Sequence, residues 1–290
     1  MNFEFLKILA ELTKIRITSF VMFTTVFGYI SAAGEINAGI ILPSLGILLL
    51  ACGSAVINHY QERDTDALMA RTKNRPIPSG KITPLNALII ALVLLLLGSA
   101  VLFLSAGLLA LGLALLNLIW YNGIYTPLKK RNALAIIPGS LVGAIPPAVG
   151  WVAAGGNILD PQILILSFFF FIWQIPHFWL LLLVLGKDYE QAGFPTLTQI
   201  FNPDQLARIT FMWIIATIVT GLIIPLFGLV KSPIIIIGLL ISGAWLAYNS
   251  VRLLRSVKEK VYFRFAFREI NIFAILVVIL LSIDKLVITL

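Results

Sequence analysis

Long apolar stretches separated by short polar segments run through almost the whole chain of 290 residues. A helix that crosses a bilayer needs about 20 mostly apolar residues. Stretches of this kind lie at 17–33, 38–58, 85–104, 106–125, 133–153, 162–185, 208–229, 233–251 and 270–288. They are too long for strands, and none shows the alternation over about ten residues that membrane barrels require. The pattern predicts an all-α polytopic membrane protein with nine transmembrane helices.

Composition supports this prediction and excludes the usual soluble classes. Hydrophobic residues make up 60% of the chain and charged residues only 12%, with a mean hydropathy of +1.01. A soluble domain carries about 25% charged residues, so an ordinary cytosolic enzyme, a coiled coil and a disordered chain are all excluded. We expect residues 1–290 to form a single membrane-embedded domain.

The basic residues are distributed very unevenly between the two sides of the membrane. When the nine predicted spans alternate in direction, 19 of the 21 lysines and arginines fall on one side, and only Lys231 and Lys285 on the other. Such a bias marks the cytoplasmic side. We therefore predict a cytoplasmic N-terminus, the cytoplasmic (inner) membrane as location and an active site facing the cytoplasm. We therefore attribute the net charge of +8 mainly to membrane topology, and the basic cluster at 252–268 to contact with the lipid bilayer. The charge predicts no nucleic-acid partner.

Three oxygen-bearing side chains follow the second apolar stretch at helical spacing. Asn58, Glu62 and Asp66 are separated by four residues each and would lie on one face of a helix, whereas Asp64 would face elsewhere. Carboxylate oxygens together with substrate phosphate oxygens are the ligands that Mg²⁺ prefers. The alternative interpretation is a solvated helix end with scattered charges.

Clusters of cations near these acids favour a pyrophosphate site over a solvated helix end. Arg71, Lys73 and Arg75 follow Asp66 directly, and the basic segment 129–131 ends the fourth predicted span. Acids that hold Mg²⁺ beside arginine and lysine are the components of such a site. Asp188, after the sixth span, is a second acidic group on the same side.

A lone histidine interrupts the sixth apolar stretch. His177 lies in the segment WQIPHFW, where it could be a hydrogen-bonded core residue, a ligand of heme iron or a proton carrier. The single cysteine, Cys52, has no partner for an intrachain disulfide or a zinc site, and we interpret it as a small buried side chain.

These segments together resemble the UbiA superfamily of intramembrane prenyltransferases over nearly the full chain. The resemblance rests on INHYQERDTDALMARTKNRPIPSG, YTPLKKRNALAIIPGSLVGAIPPAVGW, WQIPHFW and KDYEQAGFPTL. Within the superfamily, the PHFW and GAIPP stretches are most similar to the branch that farnesylates heme. The family's acidic motif is Asn-x-x-x-Asp-x-x-x-Asp, so Glu62 stands where an aspartate is usual.

The resemblance implies nine helices around a central cavity and assigns a role to each candidate residue. Mg²⁺ would be held by Asn58, Glu62 and Asp66, with a second metal site near Asp188. The diphosphate would be neutralised by Arg71, Lys73, Arg75, Lys129 and Arg131. The pocket would be lined by Trp120, Tyr121, Tyr125, Trp173 and Phe178, with His177 as the heme contact.

The activity implied by the resemblance is Mg²⁺-dependent transfer of a farnesyl group from farnesyl diphosphate to a vinyl group of heme B, which gives heme O and diphosphate. It also implies contact with heme-handling oxidase assembly factors. A sibling activity on an aromatic or quinone precursor shares the acidic motif and stays open. A transporter would place its acids near the membrane midplane, and a purely structural lipid-binding protein would leave the acidic and basic clusters unexplained.

Overall fold

A computed structural model describes residues 3–255 and 260–288, and these residues form helices joined by short connections. Lys258, a member of the predicted basic cluster, lies outside the described residues. The long helices are α1 (Phe3–Leu12), α2 (Ile15–Ala33), α3 (Ile41–Leu68), α4 (Pro84–Leu118), α5 (Leu141–Ala153), α6 (Pro161–Gln191), α7 (Pro203–Ile223), α8 (Pro233–Ser250) and α9 (Lys260–Ile283). Shorter helical turns lie at Ala38–Ile40, Thr126–Leu128, Ala133–Ala135, Ile136–Gly139, Leu197–Ile200, Ile224–Phe227 and Arg252–Arg255, and π-helical turns at Ile119–Tyr125 and Asp284–Ile288.

The described residues contain eight helical segments that are long and apolar enough to cross a membrane, where the sequence pattern predicts nine. The difference arises because the third and fourth predicted spans form one helical segment, Pro84–Leu128. An unbroken helix of that length would extend about 68 Å, far more than a bilayer core of about 30 Å. The segment is interrupted at Gly107, where φ is 79° and ψ is −175°, next to the predicted boundary. The all-helical, polytopic fold is thus confirmed.

The helices pack as two neighbouring groups. In the first group, α2 and α4 each contact both α3 and α5. In the second group, α6 and α8 each contact both α7 and α9. The backbones of α2 and α5 approach so closely that a Cβ on Gly28 or Gly150 would collide with the facing carbonyl of Pro147 or Thr25. The groups meet where α5 packs on α6 and α2 on α9.

Helix α3 extends beyond the apolar stretch from which it was predicted, and the extension contains most of the acidic motif. The stretch ends at residue 58, but the helix continues to Leu68, and Met69 then adopts an extended conformation. The buried Thr72 donates its hydroxyl to the carbonyl of Asp66 at 2.9 Å, which satisfies one of the free carbonyls at the helix end. All three oxygen-bearing side chains therefore lie on one rigid helix.

Candidate active site

The predicted column of Asn58, Glu62 and Asp66 is formed, and it faces the protein interior. Asn58 and Asp66 are 0% exposed and Glu62 is 6% exposed. Asp64, which the helical spacing directs elsewhere, has a side chain that is 84% exposed and pairs loosely with Arg63. A solvated helix end would leave these side chains in water, so their burial excludes that alternative.

Each member of the column is held by a cation from a different connection. Lys14, between α1 and α2, donates from Nζ to Oδ1 of Asn58 at 2.5 Å. Lys129 forms an ion pair with Glu62. Arg75 donates from Nη1 to both carboxylate oxygens of Asp66, at 2.8 and 2.7 Å. Because burying a charge without a partner is costly, these three cations explain how two carboxylates can be buried here.

Lys14 is the one cation of this site that the sequence did not identify, because it was used only as one of the basic residues that predict the orientation in the membrane. Among the described residues it is the one non-glycine residue with positive φ, at φ 50° and ψ 46°. This left-handed turn at the start of α2 directs its side chain toward α3. Burial, followed by repulsion from Arg75, lowers the pKa of Lys14 to about 7, against the attraction of Glu62.

Lys129 shows the opposite behaviour although it is also shielded from water. Burial disfavours its charge, but the carboxylate of Glu62 outweighs this effect and raises the pKa of Lys129 above its usual range. The phenolic oxygens of Tyr125, Tyr121 and Tyr189 add to the increase. The ammonium is therefore a permanent positive charge beside the column.

A π-helical segment, Ile119–Tyr125, brings Lys129 and two tyrosines to this position. Asn122 fixes the segment on α3: its Oδ1 accepts from the hydroxyl of Ser54 at 2.5 Å, and its Nδ2 donates to the carbonyl of Ser54 at 3.0 Å. Gln61 donates to the carbonyl of Asn122 at 2.9 Å. Such widened turns are rare and often occur at functional sites. A polar Asn inside an apolar stretch is the sequence signal that could have revealed this contact.

An unbroken row of side chains leads from the column to the predicted histidine. The ammonium of Lys129 lies 5.5 Å from the ring centre of Tyr125. The ring of Tyr125 stacks on Phe178 at 6.1 Å, and Phe178 contacts His177 edge-on at 5.6 Å. Tyr121 also stacks on Tyr125, at 5.9 Å between ring centres. Acidic column and histidine therefore belong to one continuous site between the two helix groups.

His177 is half-buried among aromatic rings, with Trp173 at 4.8 Å and Phe267 at 4.9 Å between ring centres. Its Nδ1 lies 2.7 Å from Oδ1 of Asn271 on α9. The other histidine, His59, is 1% exposed, and neither of its ring nitrogens has a hydrogen-bond partner among the described residues. Of the two, His177 is the one that faces the aromatic row.

Some predicted site residues lie away from the column. Arg71, Lys73 and Arg131 are exposed and form no ion pair with it in the described part of the chain. Asp188 is half-buried near the end of α6, one residue from Tyr189, which acts on the pKa of Lys129. Two of the predicted pocket residues form hydrogen bonds to backbone carbonyls: Trp120 donates to Pro138 and Trp173 to Ile270. Lys130 donates to the carbonyl of Gln61, and Asn58 to the hydroxyl of Thr126.

A model of the UbiA prenyltransferase family matches residues 21–273. The chain belongs to the UbiA prenyltransferase family. The prediction of a multi-pass membrane prenyltransferase is confirmed by this match, and a transporter is excluded.

Relatives of this UbiA chain carry a more specific name. A protoheme IX farnesyltransferase from Oleidesulfovibrio alaskensis is 33% identical over 97% of the chain and 98% of its own length. A protoheme IX farnesyltransferase from Marinobacter nauticus is 34% identical over 87% of the chain and 83% of its own length. The sequence similarity to the heme branch that was predicted from the PHFW and GAIPP stretches is thus confirmed.

Solved UbiA-type structures share the fold. A digeranylgeranylglyceryl phosphate synthase superimposes with a TM-score of 0.80 at 18% identity, covering 97% of this chain and 99% of that one. A UbiA homologue from Archaeoglobus fulgidus bound to GPP and Mg²⁺ gives a TM-score of 0.64 at 12% identity, covering 95% and 99%. At these identities the likeness shows the fold alone.

Proposed function

We propose that this UbiA-family chain transfers the farnesyl group of farnesyl diphosphate to a vinyl group of heme B, giving heme O and diphosphate. The observation that carries the proposal is the continuous row from Glu62 and Lys129 through Tyr125 and Phe178 to His177. It supplies a diphosphate end, an aromatic middle and an acceptor end within one site. The name shared by relatives that match nearly the whole chain supports the same activity.

The donor set at the diphosphate end fits Mg²⁺. Among the described residues no three acidic, histidine or cysteine side chains converge on one point, but Mg²⁺ is usually held by one or two carboxylates plus substrate phosphate oxygens. Asn58, Glu62 and Asp66 supply two carboxylates and an amide oxygen, and Asp188 is proposed as a ligand of a second ion. Bound Mg²⁺ would stabilise negative charge on the departing diphosphate.

The side chains of this protein then have three tasks. Lys129, Arg75 and Lys14 supply positive charge to the diphosphate oxygens as the allylic C–O bond breaks and its electron pair leaves with the diphosphate. The exposed Arg71, Lys73 and Arg131 are proposed to reach the diphosphate from the mouth of the site. The electron-rich faces of the half-buried Tyr121, Tyr125 and Phe178 stabilise the allylic cation.

At the acceptor end, a vinyl carbon of heme B donates its electron pair to the allylic cation, and a carbon–carbon bond forms. A water molecule then adds to the remaining cation and passes one proton to a second water molecule, which completes the hydroxyethylfarnesyl group. His177, flanked by Trp173 and Phe267, is proposed to bind the porphyrin iron and so fix the orientation of the vinyl group.

The proposal places the site at the cytoplasmic face of the cytoplasmic membrane. The column lies at the end of α3, next to connections rich in lysine and arginine, and such connections remain on the cytoplasmic side. Contact with heme-handling oxidase assembly factors stays a prediction of the family resemblance.

Product analysis tests the activity directly. Purified chain incubated with farnesyl diphosphate, heme B and Mg²⁺ should yield heme O by mass spectrometry, while aromatic and quinone precursors tested in parallel should yield no prenylated product. Transfer to a precursor and not to heme would overturn the proposal in favour of the sibling activity. His177→Ala should weaken heme binding and shift the Soret band; an unchanged affinity and band would rule out this histidine as the ligand.

The role of the column is tested by a matched pair of variants. Asp66→Asn removes a buried carboxylate that is paired with Arg75, whereas Asp64→Asn removes an exposed one two residues away. We expect Asp66→Asn to lose turnover and Asp64→Asn to retain it. Equal activity in both variants would contradict the assignment.

A further inference from the structure

The side chain that contacts His177 from α9 has a single possible orientation. Nδ2 of Asn271 lies 2.6 Å from the backbone carbonyl of Phe267, one turn earlier in the helix. A carbonyl can only accept a hydrogen bond, so the atom facing it must be the amide NH₂. The atom facing His177 is therefore the amide oxygen of Asn271, at 2.7 Å from Nδ1.

This orientation determines the tautomer of the imidazole. The amide oxygen is only an acceptor, so Nδ1 of His177 must carry the proton and donate it. In a neutral ring the other nitrogen, Nε2, then has a free lone pair. No hydrogen bond from the described residues reaches Nε2, and the residue is half-buried rather than sealed in the core.

We propose that Asn271 is a positioning residue, which holds His177 as the Nδ1–H tautomer and leaves Nε2 ready to bind the iron of the heme substrate. The inference rests on the proposed function, because it takes heme as the acceptor. A metal-binding histidine commonly donates its second ring N–H to an oxygen acceptor, which fixes the ring and raises its basicity. Here that acceptor comes from a helix 94 residues away in sequence.

The surroundings restrict ring rotation further. Trp173 and Phe267 lie on α6 and α9 with ring centres within 5 Å of the imidazole, and Nε1 of Trp173 donates to the carbonyl of Ile270 at 3.3 Å. The two helices are thus joined by two hydrogen bonds, one at His177 and one a turn earlier in α6, at Trp173. Flat aromatic faces beside a free Nε2 suit a planar porphyrin better than a small polar ligand.

The test is spectroscopic and uses the full-length chain in detergent with added ferrous protoheme. In Asn271→Leu the Nδ1 proton loses its acceptor, so we expect about 10–100-fold weaker heme binding and an iron–histidine stretching band at lower frequency in resonance Raman spectra. In Asn271→Asp a carboxylate accepts the same bond more strongly, and the band should move to higher frequency. Asn249→Leu, which changes an asparagine on α8 that pairs with Glu269, should leave the band unchanged.

Each outcome separates the inference from the proposed function. Wild-type affinity and an unshifted band in both Asn271 variants would overturn the role of Asn271. If His177→Ala kept the iron–histidine band, the inference would fail, while heme O formation by the wild-type chain would still establish the activity. If Asn271→Leu does not fold, the band shift of Asn271→Asp decides the question.

Discussion

The ion pair between Lys129 and Glu62 offers a quantitative test of how the site is balanced. Their side chains are 17% and 7% exposed, so Lys129→Met would leave a carboxylate in a largely dry environment. Breaking a buried pair by removing one partner costs about 3–5 kcal/mol. At about 2–4 °C per kcal/mol for a chain of this size, we expect the apparent melting temperature to fall by at least about 6 °C.

A double variant distinguishes the loss of the pair from the loss of the lysine's packing. Lys129→Met combined with Glu62→Gln removes both charges and should recover most of the lost stability, because no buried charge is left unpaired. Lys130→Met changes the exposed neighbouring lysine and should cost less than about 1 kcal/mol. Melting is followed by intrinsic fluorescence in detergent at a fixed scan rate, with EDTA present.

Magnesium provides a second readout from the same set of proteins. The unpaired carboxylate of Lys129→Met should bind Mg²⁺ more readily, so adding Mg²⁺ should raise the melting temperature of this variant more than that of the wild type. A single variant that loses less than about 1 kcal/mol, or a double variant no more stable than the single one, would refute the reasoning.

Three further predictions concern residues that support the site. Lys14→Met tests the buried lysine. Between pH 7 and about 10 the unfolded chain keeps a proton on Lys14 that the folded chain releases, so the melting temperature of the metal-free wild type, measured relative to that of the variant, should rise with pH. Melting temperatures that change with pH in parallel in the two proteins would contradict this. Asn122→Leu removes the side-chain hydrogen bonds of the π-helical segment with Ser54 and with Oε1 of Gln61, so we expect about 1–3 kcal/mol lower stability and reduced turnover. An unchanged rate would show that these bonds do not position Lys129. Gly107→Ala forces a side chain into a backbone conformation that only glycine adopts readily, and thermal unfolding should show a loss of stability of about 1–3 kcal/mol. Gly112→Ala, at a helical position with open space around it, should cost no stability.

Local periodicity was sufficient to predict the column, because residues four apart on one helix share a face whatever the rest of the chain does. The length of α3 could not be predicted from apolar residues alone, since residues 59–66 are polar or charged and several of them are held by contacts with other connections. The boundary between the third and fourth predicted spans, by contrast, was placed within a few residues of the interruption at Gly107, although the two spans belong to one helical segment.

The partners of the column and of the histidine were harder to predict. Arg75 is close to Asp66 in sequence, and its charge was enough to suggest it. Lys14 reaches Asn58 only through a left-handed turn that nothing in the composition indicates. Asn271 lies 94 residues from His177, so its role depends on how α6 and α9 pack.

The contacts of the acidic column bear on the order in which the protein is made. Lys14, Arg75 and Lys129, like the column itself, lie within the first 129 residues, whereas the contact of His177 with Asn271 joins segments from the second half of the chain. During synthesis the acidic column and its three cations can therefore assemble while the acceptor end is still on the ribosome. A partly inserted chain would be able to neutralise its buried acids at once, without waiting for α6–α9 to enter the membrane.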